Sequence, residues 1–291
     1  MQKTSIRFFH DMPVRAVWNE AQNKWCFSVI DVLSAIRGVS DYSKNRNYWK
    51  YLKTKLKNEN SQVVSVTNRL KLTAPDGKKR LSDVLDADGV VQLAAAFPAR
   101  ISAGFISWFT GAEDSVDGKS KQKAYALFDS TILSEDEIGT AKGLQQIHSF
   151  LFGGLYDFAG QLRSVNIAKG GFQFANAAYL RETLNTVERM PENSFDEILQ
   201  KYIEMNVAHP FLEGNGRSTR IWLDLMLKKN LHRCVDWSKV DKKAYLDAMR
   251  RSVTDGTQIK RLLFDALTDR IHDREVFMKG IDYSYYYETD D

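Results

Sequence analysis

The chain has 291 residues, 43% hydrophobic and 27% charged, with only 5 Pro and 17 Gly; this is long enough for one large or two ordinary domains and excludes intrinsic disorder, a collagen-like fibre and a Pro-rich spacer. The two cysteines, Cys26 and Cys234, have neither a second Cys nor a His at ligand spacing, which excludes a disulfide framework and a zinc finger and points to a reducing compartment. The net charge of +4 hides an asymmetry: residues 1–110 hold 17 Lys and Arg against 9 Asp and Glu, and residues 37–80 alone hold 12 against 3.

That basic block suits an anionic partner, nucleic acid first, or a solvated helix face that keeps the domain soluble. No stretch approaches the roughly 18 apolar residues of a membrane span, and no signal-type apolar core opens the chain. The expectation is a cytoplasmic protein without a membrane partner. In chain order, VRAVW and WCFSVI flank the polar NEAQNK and predict a hairpin, followed by a helix over 31–37. In NYWKYLKTKLKNE, Tyr48, Trp49, Leu52 and Leu56 recur at helical spacing with Lys50, Lys53, Lys55 and Lys57 on the other faces, a basic amphipathic helix. LKLTAPDGKKRL places Pro75-Asp76-Gly77 as a turn between two apolar runs, and apolar helices follow over 86–97 and 99–109. The segment TGAEDSVDGKSKQK lacks large apolar residues and predicts a linker over 111–123. Beyond it, strand signals largely give way to helical periodicity.

From VRAVW through the basic helix, LKLTAPDGKKRLSDV and GFISWF, the first hundred residues resemble the N-terminal domain of viral BRO proteins and phage antirepressors. That resemblance implies a DNA-binding or regulatory module, with target capture or oligomerisation as further roles.

The informative stretch is HPFLEGNGRSTR, residues 209–220. Upstream, Ser194 and Glu197 form a capping box, and Phe195, Ile198, Leu199, Tyr202 and Ile203 mark a helix to about Ala208. Pro210 disfavours the α region for His209, so the helix stops and the imidazole sits at its exposed end. Gly214-Asn215-Gly216 turns sharply into RSTRIWLDLMLKK, which is apolar on nearly every side and predicts a buried central helix. Its N-terminus makes an anion hole suited to phosphate. Arg217 and Arg220 share one face of the first turn and can fork onto neighbouring phosphate oxygens. Glu213 beside them is explained if it holds Mg²⁺ bridging those oxygens. His209 is close enough to take a proton from an attacking hydroxyl; the helix end would raise its pKa and the cationic hole would lower it. Each feature alone has a plainer reading, as a packed His, a turn or surface charge; together they specify a polyphosphate site.

The stretch resembles the signature of the Fic family of protein adenylyltransferases, H-P-F-x-[D/E]-G-N-G-R-x-x-R, at every specified position. The similarity spans roughly 140–288 and includes LQQIHSFLFGGLYDFAGQLR, like the family's helix-to-flap segment. It implies that His209 is the general base, Glu213 binds Mg²⁺, Gly214, Asn215 and Gly216 cradle phosphates, and Arg217 and Arg220 grip them, with Ser218 and Thr219 in the same nucleotide-binding run. Asn206, three residues before His209, is a further nucleotide contact or a helix polar group satisfied by the backbone. The implied reaction moves AMP from ATP to a Ser, Thr or Tyr hydroxyl of a target protein and releases pyrophosphate. Gly216 and Arg220 favour this over kinase-like relatives. Ile167, Ala168, Lys169, Gly170, Gly171 and Phe172 resemble the family's target-docking flap, with Lys169 also near the nucleotide.

The end of the chain, GIDYSYYYETDD, sets Ser284 and Glu288 four apart. It resembles the inhibitory helix of single-chain Fic proteins, about 281–289 here, in which Glu288 would pair with Arg220; Thr289 stands where Gly or Asn is usual. The resemblance brings in further expectations: a homo-oligomer, a type II topoisomerase subunit as target, and, through Glu288 orienting water, the reverse removal of AMP. Tyr283, Tyr285, Tyr286 and Tyr287 are candidates for self-modification. A DNA-binding regulator with a nucleotide-sensing Fic domain is the alternative from another class. The expected architecture is multidomain α+β: a small basic α+β domain over 1–110, the linker, and an all-α Fic domain with a β-hairpin flap over 124–291.

Overall fold

A computed structural model describes residues 3–74, 77–111, 114–130 and 132–289. The chain divides into two compact units, Met1–Ser115 and Val116–Asp290.

The first unit is built on a five-stranded antiparallel sheet, β1 (Thr4–Phe9), β2 (Met12–Asn19), β3 (Lys24–Ser28), β4 (Asn68–Thr73) and β5 (Lys79–Leu85), in the order β1-β2-β3-β5-β4. The expected hairpin is β2–β3, with Val17 opposite Cys26. Its second strand ends at Ser28, however, because the Ser28 hydroxyl accepts from Asp31 N and starts α1 (Val29–Arg37) two residues before the predicted position. Strand β1 was not foreseen. The basic helix is α2 (Tyr42–Asn58), extended N-terminally by the Asp41 cap; Trp49, Leu52 and Leu56 are buried, while Lys44, Arg46, Lys50, Lys55 and Lys57 are exposed. After the short α3 (Gln62–Ser65), β4 and β5 pair as the turn signal predicts, although Pro75 and Asp76 themselves lie outside the described residues. Helices α4 (Ala87–Ala95) and α5 (Ala99–Gly111) follow. Val32, Leu33, Phe27, Leu93 and Phe105 are fully or almost fully buried at the centre of the core between sheet and helices.

The second unit is helical: α6 (Val116–Ala126), α7 (Ala141–Phe152), α8 (Leu180–Glu188), α9 (Phe195–Ala208), α10 (Asn215–Leu231), α11 (Lys242–Arg251), α12 (Thr257–Asp265) and α13 (Arg274–Tyr286). Two short antiparallel strand pairs accompany them, the hairpin β6 (Ala168–Lys169) with β7 (Phe172–Gln173) and the pair β8 (Cys234–Val235) with β9 (Leu267–Thr268), whose strands flank α11 and α12; the second pair was not foreseen. Helix α10 is central, as expected: Trp222, Met226 and Leu227 are wholly buried, and it packs against α7, α9 and α13. The expected linker at 111–123 is largely helix α6. It belongs to this unit because Lys121 pairs with Asp282 at 2.6 Å, Tyr125 also bonds Asp282, and the Tyr285 hydroxyl donates to Ser120 at 3.0 Å. Its polarity, which suggested a linker, is used in these buried polar contacts. Among the described residues, no helix is long and apolar enough to cross a membrane.

Candidate active site

Helix α9 begins with the capping box: Glu197 N donates to Ser194 Oγ at 3.3 Å, and Ser194 N to a Glu197 carboxylate oxygen at 3.1 Å. It ends at His209, which takes a left-handed conformation with φ +45°. The expectation of an exposed imidazole is corrected here. The ring is half-buried, stacked on Phe174 at 3.7 Å between centroids and 14° between planes. Its Nδ1 lies 3.2 Å from the Asn206 carbonyl. A carbonyl only accepts, so Nδ1 is assigned the proton and Nε2 the free lone pair. Burial pulls the pKa of His209 from 6.5 down to about 4, outweighing the Asn206 carbonyl and Glu288, which raise it; Lys169 and Arg163 act with burial. The imidazole is therefore neutral at pH 7. The hydration of the ring decides its charge, a factor absent from the opposing influences weighed in the sequence.

The loop after His209 is held by side chains buried beneath it. Asn215 accepts from Phe211 N at 2.9 Å and donates to Phe211 O at 2.7 Å. Its side chain locks the turn. Gly214 has φ +79°, and a Cβ there would lie 2.4 Å from Phe152, so only glycine fits. His148, fully buried on α7, receives the Gly160 N–H at Nδ1 and donates from Nε2 to the Glu213 carbonyl, both at 2.9 Å. Burial first, with Arg217 adding to it, lowers its pKa to about 4. Sequence reasoning assigned His148 no role, although it lies in the LQQIHSF segment. The first hydrogen bond of α10 runs from Ser218 N to Gly214 O at 3.1 Å, so the amides of Asn215, Gly216 and Arg217 have no partner inside the helix. Thr219 turns its hydroxyl back to the Asn215 carbonyl at 2.8 Å, while Ser218 Oγ is buried and unpartnered.

Both arginines are buried and bound to carboxylates. Arg217 pairs with Glu213 at 2.9 Å and with Asp117 of α6, and its Nε is buried without a partner. Asp117 was missed because α6 shows no apolar periodicity. Arg220 donates from Nε to Ser284 Oγ and from Nη2 to the Ser284 carbonyl, each at 2.7 Å, and pairs with Glu288. Burial alone would raise the Glu288 carboxyl, but Arg220 above all, with Arg217 and Lys169, holds it below the usual range. Glu288 also sits against the start of α10: a Cβ on Gly216 would lie 2.2 Å from its Oε1. Glu288 is not on α13, which ends at Tyr286, but on the turn beyond, where its N–H bonds the Tyr285 carbonyl at 3.1 Å. The helix also starts at Arg274, earlier than the expected 281. Thr289 completes this turn by donating to the Tyr286 carbonyl at 2.8 Å, and its own carbonyl takes the Lys242 ammonium at 2.8 Å. Tyr285 and Tyr287 are buried and donate inward, the latter to the Trp237 and Val240 carbonyls. Those two tyrosines are thus not presented for modification.

The hairpin β6–β7 pairs Lys169 with Phe172 across Gly170 and Gly171, both at positive φ, 57° and 82°. This is the backbone that a two-residue turn between antiparallel strands demands. Ala168, Lys169, Gly170 and Gly171 are exposed, and Ile167 and Phe172 are half-buried. Its stem is fastened by Phe174 N to the Ile167 carbonyl at 3.2 Å and by Ala175 N to the Val207 carbonyl at 3.0 Å.

Among the described residues, no three His, Cys, Asp or Glu side chains gather at metal-ligand distance. Glu213, 55% exposed, shares the Arg217 guanidinium with Asp117. Such a donor set fits a Mg²⁺ ion that keeps its waters and takes its other oxygens from a bound polyphosphate.

Residues 139–227 match the model of the Fic/DOC family. Curated relatives include protein adenylyltransferase VbhT of Bartonella schoenbuchensis, 30% identical over 148 residues, covering 45% of this chain and 30% of that protein. The probable protein adenylyltransferase Fic of Escherichia coli is 27% identical over 143 residues, covering 45% of this chain and 71% of its own. The probable protein adenylyltransferase y4lH of Sinorhizobium fredii is 30% identical over 118 residues, covering 36% and 61%. The chain thus spans under a third of the first of these relatives and between about three fifths and three quarters of the other two. Among solved structures, the BepC protein of Bartonella tribocorum with bound AMPPNP aligns with a TM-score of 0.47 at 18% identity, over 55% of this chain and 87% of that one. The segment similar to the Fic/DOC family, residues 139–227, contains His209, the glycine turn and both arginines, and the relatives it resembles include proteins named protein adenylyltransferases.

Proposed function

We propose that the protein is an adenylyltransferase held closed by its own carboxylates. In the reaction, a Ser, Thr or Tyr hydroxyl of a target protein attacks the α-phosphorus of ATP. The bond to the bridging α–β oxygen breaks, pyrophosphate leaves, and the hydroxyl proton passes to His209 Nε2, whose lone pair is free. Glu213 would hold Mg²⁺, which neutralises phosphate charge when bound. The free amides at the start of α10 and the guanidinia of Arg217 and Arg220 would grip the phosphates, with Asn215 and His148 keeping the turn in shape. Asn206 and Lys169 stand nearby as further nucleotide contacts, and the exposed hairpin edge suits an extended target strand.

The observation that carries this reading is Glu288. An anion supplied by the chain itself lies against Gly216 and acts on Arg220, Arg217, Lys169 and His209 together. A place built to hold one carboxylate among these groups is chemically a place for phosphate. Occupied by Glu288, with Asp117 on Arg217, it opposes productive ATP binding. Radiolabel from the α-phosphate of ATP should enter protein faster with Glu288→Gly than with the parent and not at all with His209→Ala added; equal labelling in all three refutes the reading.

The exposed basic face of α2 supports a second, separate role for the first unit, contact with DNA. Salt-dependent retention on duplex DNA, lost when Lys50, Lys55 and Lys57 are replaced by Gln, tests it.

A further inference from the structure

Arg163 is 4% exposed, and all three guanidinium nitrogens donate to backbone carbonyls. Nε donates to His209 O at 2.8 Å and Nη1 to Val165 O at 2.8 Å; Nη2 reaches Ala208 O at 3.0 Å and also Ala175 O. Its own N–H bonds the Pro210 carbonyl at 2.9 Å. Of the four carbonyls on the guanidinium, two belong to the end of α9, where helix carbonyls lack partners, and two flank the hairpin, one before it and one after. A planar fork with five donors can serve all four directions at once; a lysine ammonium has three donors at one point and cannot. Phe174, next to Ala175, is the residue stacked on the His209 ring.

We propose that Arg163 is a positioning residue for the transfer reaction: it ties the stem of the hairpin to the end of α9, and so keeps Phe174 over the His209 imidazole and that ring dry and aimed. The clamp also accounts for the left-handed backbone of His209, a conformation costly for a residue with a side chain unless its surroundings impose it. The inference rests on reading His209 as the base. The charged groups acting on that ring are Glu288 from the C-terminal turn, Lys169 from the hairpin and Arg163 itself. Replacing Arg163 by Lys keeps a cation at this position, so the effect read by the test is the access of water to the ring.

The test uses the full chain carrying Glu288→Gly, with and without Arg163→Lys, and reads the His209 ring titration by NMR with labelled histidine. The Arg163→Lys protein should show the His209 midpoint moving up from about 4 toward 6.5. Its kcat for AMP transfer should fall on the order of a hundredfold, with KM for ATP within about twofold. A folded Arg163→Lys protein with the parent's midpoint and kcat overturns the proposal. Should that variant not fold, Phe174→Leu, a change at a half-buried position, decides: a raised midpoint supports the clamp, and an unmoved one overturns it. The titration needs no transfer, so an inactive Glu288→Gly parent would sink the adenylyltransferase reading while leaving this measurement intact.

Discussion

Replacing Glu288 by Gly should destabilise the protein and, in the same stroke, open it to ATP. The Arg220 guanidinium is 3% exposed and its Glu288 partner 19%, and removing one member of a pair so buried costs about 3 kcal/mol or somewhat more, because the other charge is left uncompensated. Arg220 keeps its two bonds to Ser284, which places the cost at the lower end. For a unit of this size, about 3 kcal/mol lowers the melting temperature by roughly 6–12 °C. The same free energy no longer opposes triphosphate, so the apparent affinity for ATP should rise by on the order of a hundredfold. Mg·ATP at about 100 times its Kd then returns about 2.7 kcal/mol. Thermal melting with and without Mg·ATP should therefore show a variant that is less stable than the parent in buffer and nearly equal to it with nucleotide, while the parent hardly responds. A variant as stable as the parent, or one destabilised but indifferent to Mg·ATP, would refute the argument that Glu288 occupies the phosphate site.

Three further outcomes follow from the geometry. His209→Ala in the Glu288→Gly background should lose about 10²- to 10⁴-fold in transfer while binding ATP unchanged, as read by labelled transfer beside calorimetry. Asp117→Asn should tighten ATP binding, by only about two- to fivefold, since Asp117 is half exposed and such pairs are weak; a double-mutant cycle with Glu288→Gly measures whether the two carboxylates act together. His148 and His209 both have pKa values pulled from 6.5 to about 4. Below 6.5 the unfolded chain takes up protons that the folded chain refuses, so their stabilisation is complete above that pH and is lost progressively down to about 4. Melting temperatures across pH 7 to 4 should fall accordingly, and less steeply for a folded His148→Gln protein; transfer itself should hold to about pH 5, because the base stays neutral.

What the sequence made legible is what local chemistry dictates. Ser194 and Glu197 three residues apart start a helix wherever they fall before an apolar stripe, Pro210 ends it, and Gly170-Gly171 supplies the positive φ of a hairpin turn. The motif 209–220 marked the site because so many of its positions are constrained together. Long-range partnership left no such mark. Asp117 lies 100 positions from Arg217 in the chain, on a helix too polar to announce itself, and it read as part of a linker. Burial depresses the pKa of His209, and the ring stacked on it, Phe174, comes from the base of the hairpin rather than from the motif. Asn215 stood out in the sequence for its place in the phosphate cradle, while the bonds of its side chain to the Phe211 backbone, which hold the turn, could not be read there. Arg163 was visible only as one more basic residue, since its function is to satisfy carbonyls whose convergence is a property of the fold.

The account depends on AMP, rather than a phosphoryl group, leaving the bound nucleotide. Incubating the Glu288→Gly protein with a bacterial lysate, Mg²⁺ and ATP labelled separately at the α or γ position decides this directly. Label from the α position entering protein, with none from the γ position and none when His209→Ala is added, is the predicted result; γ label in protein, or no label from either, would contradict it.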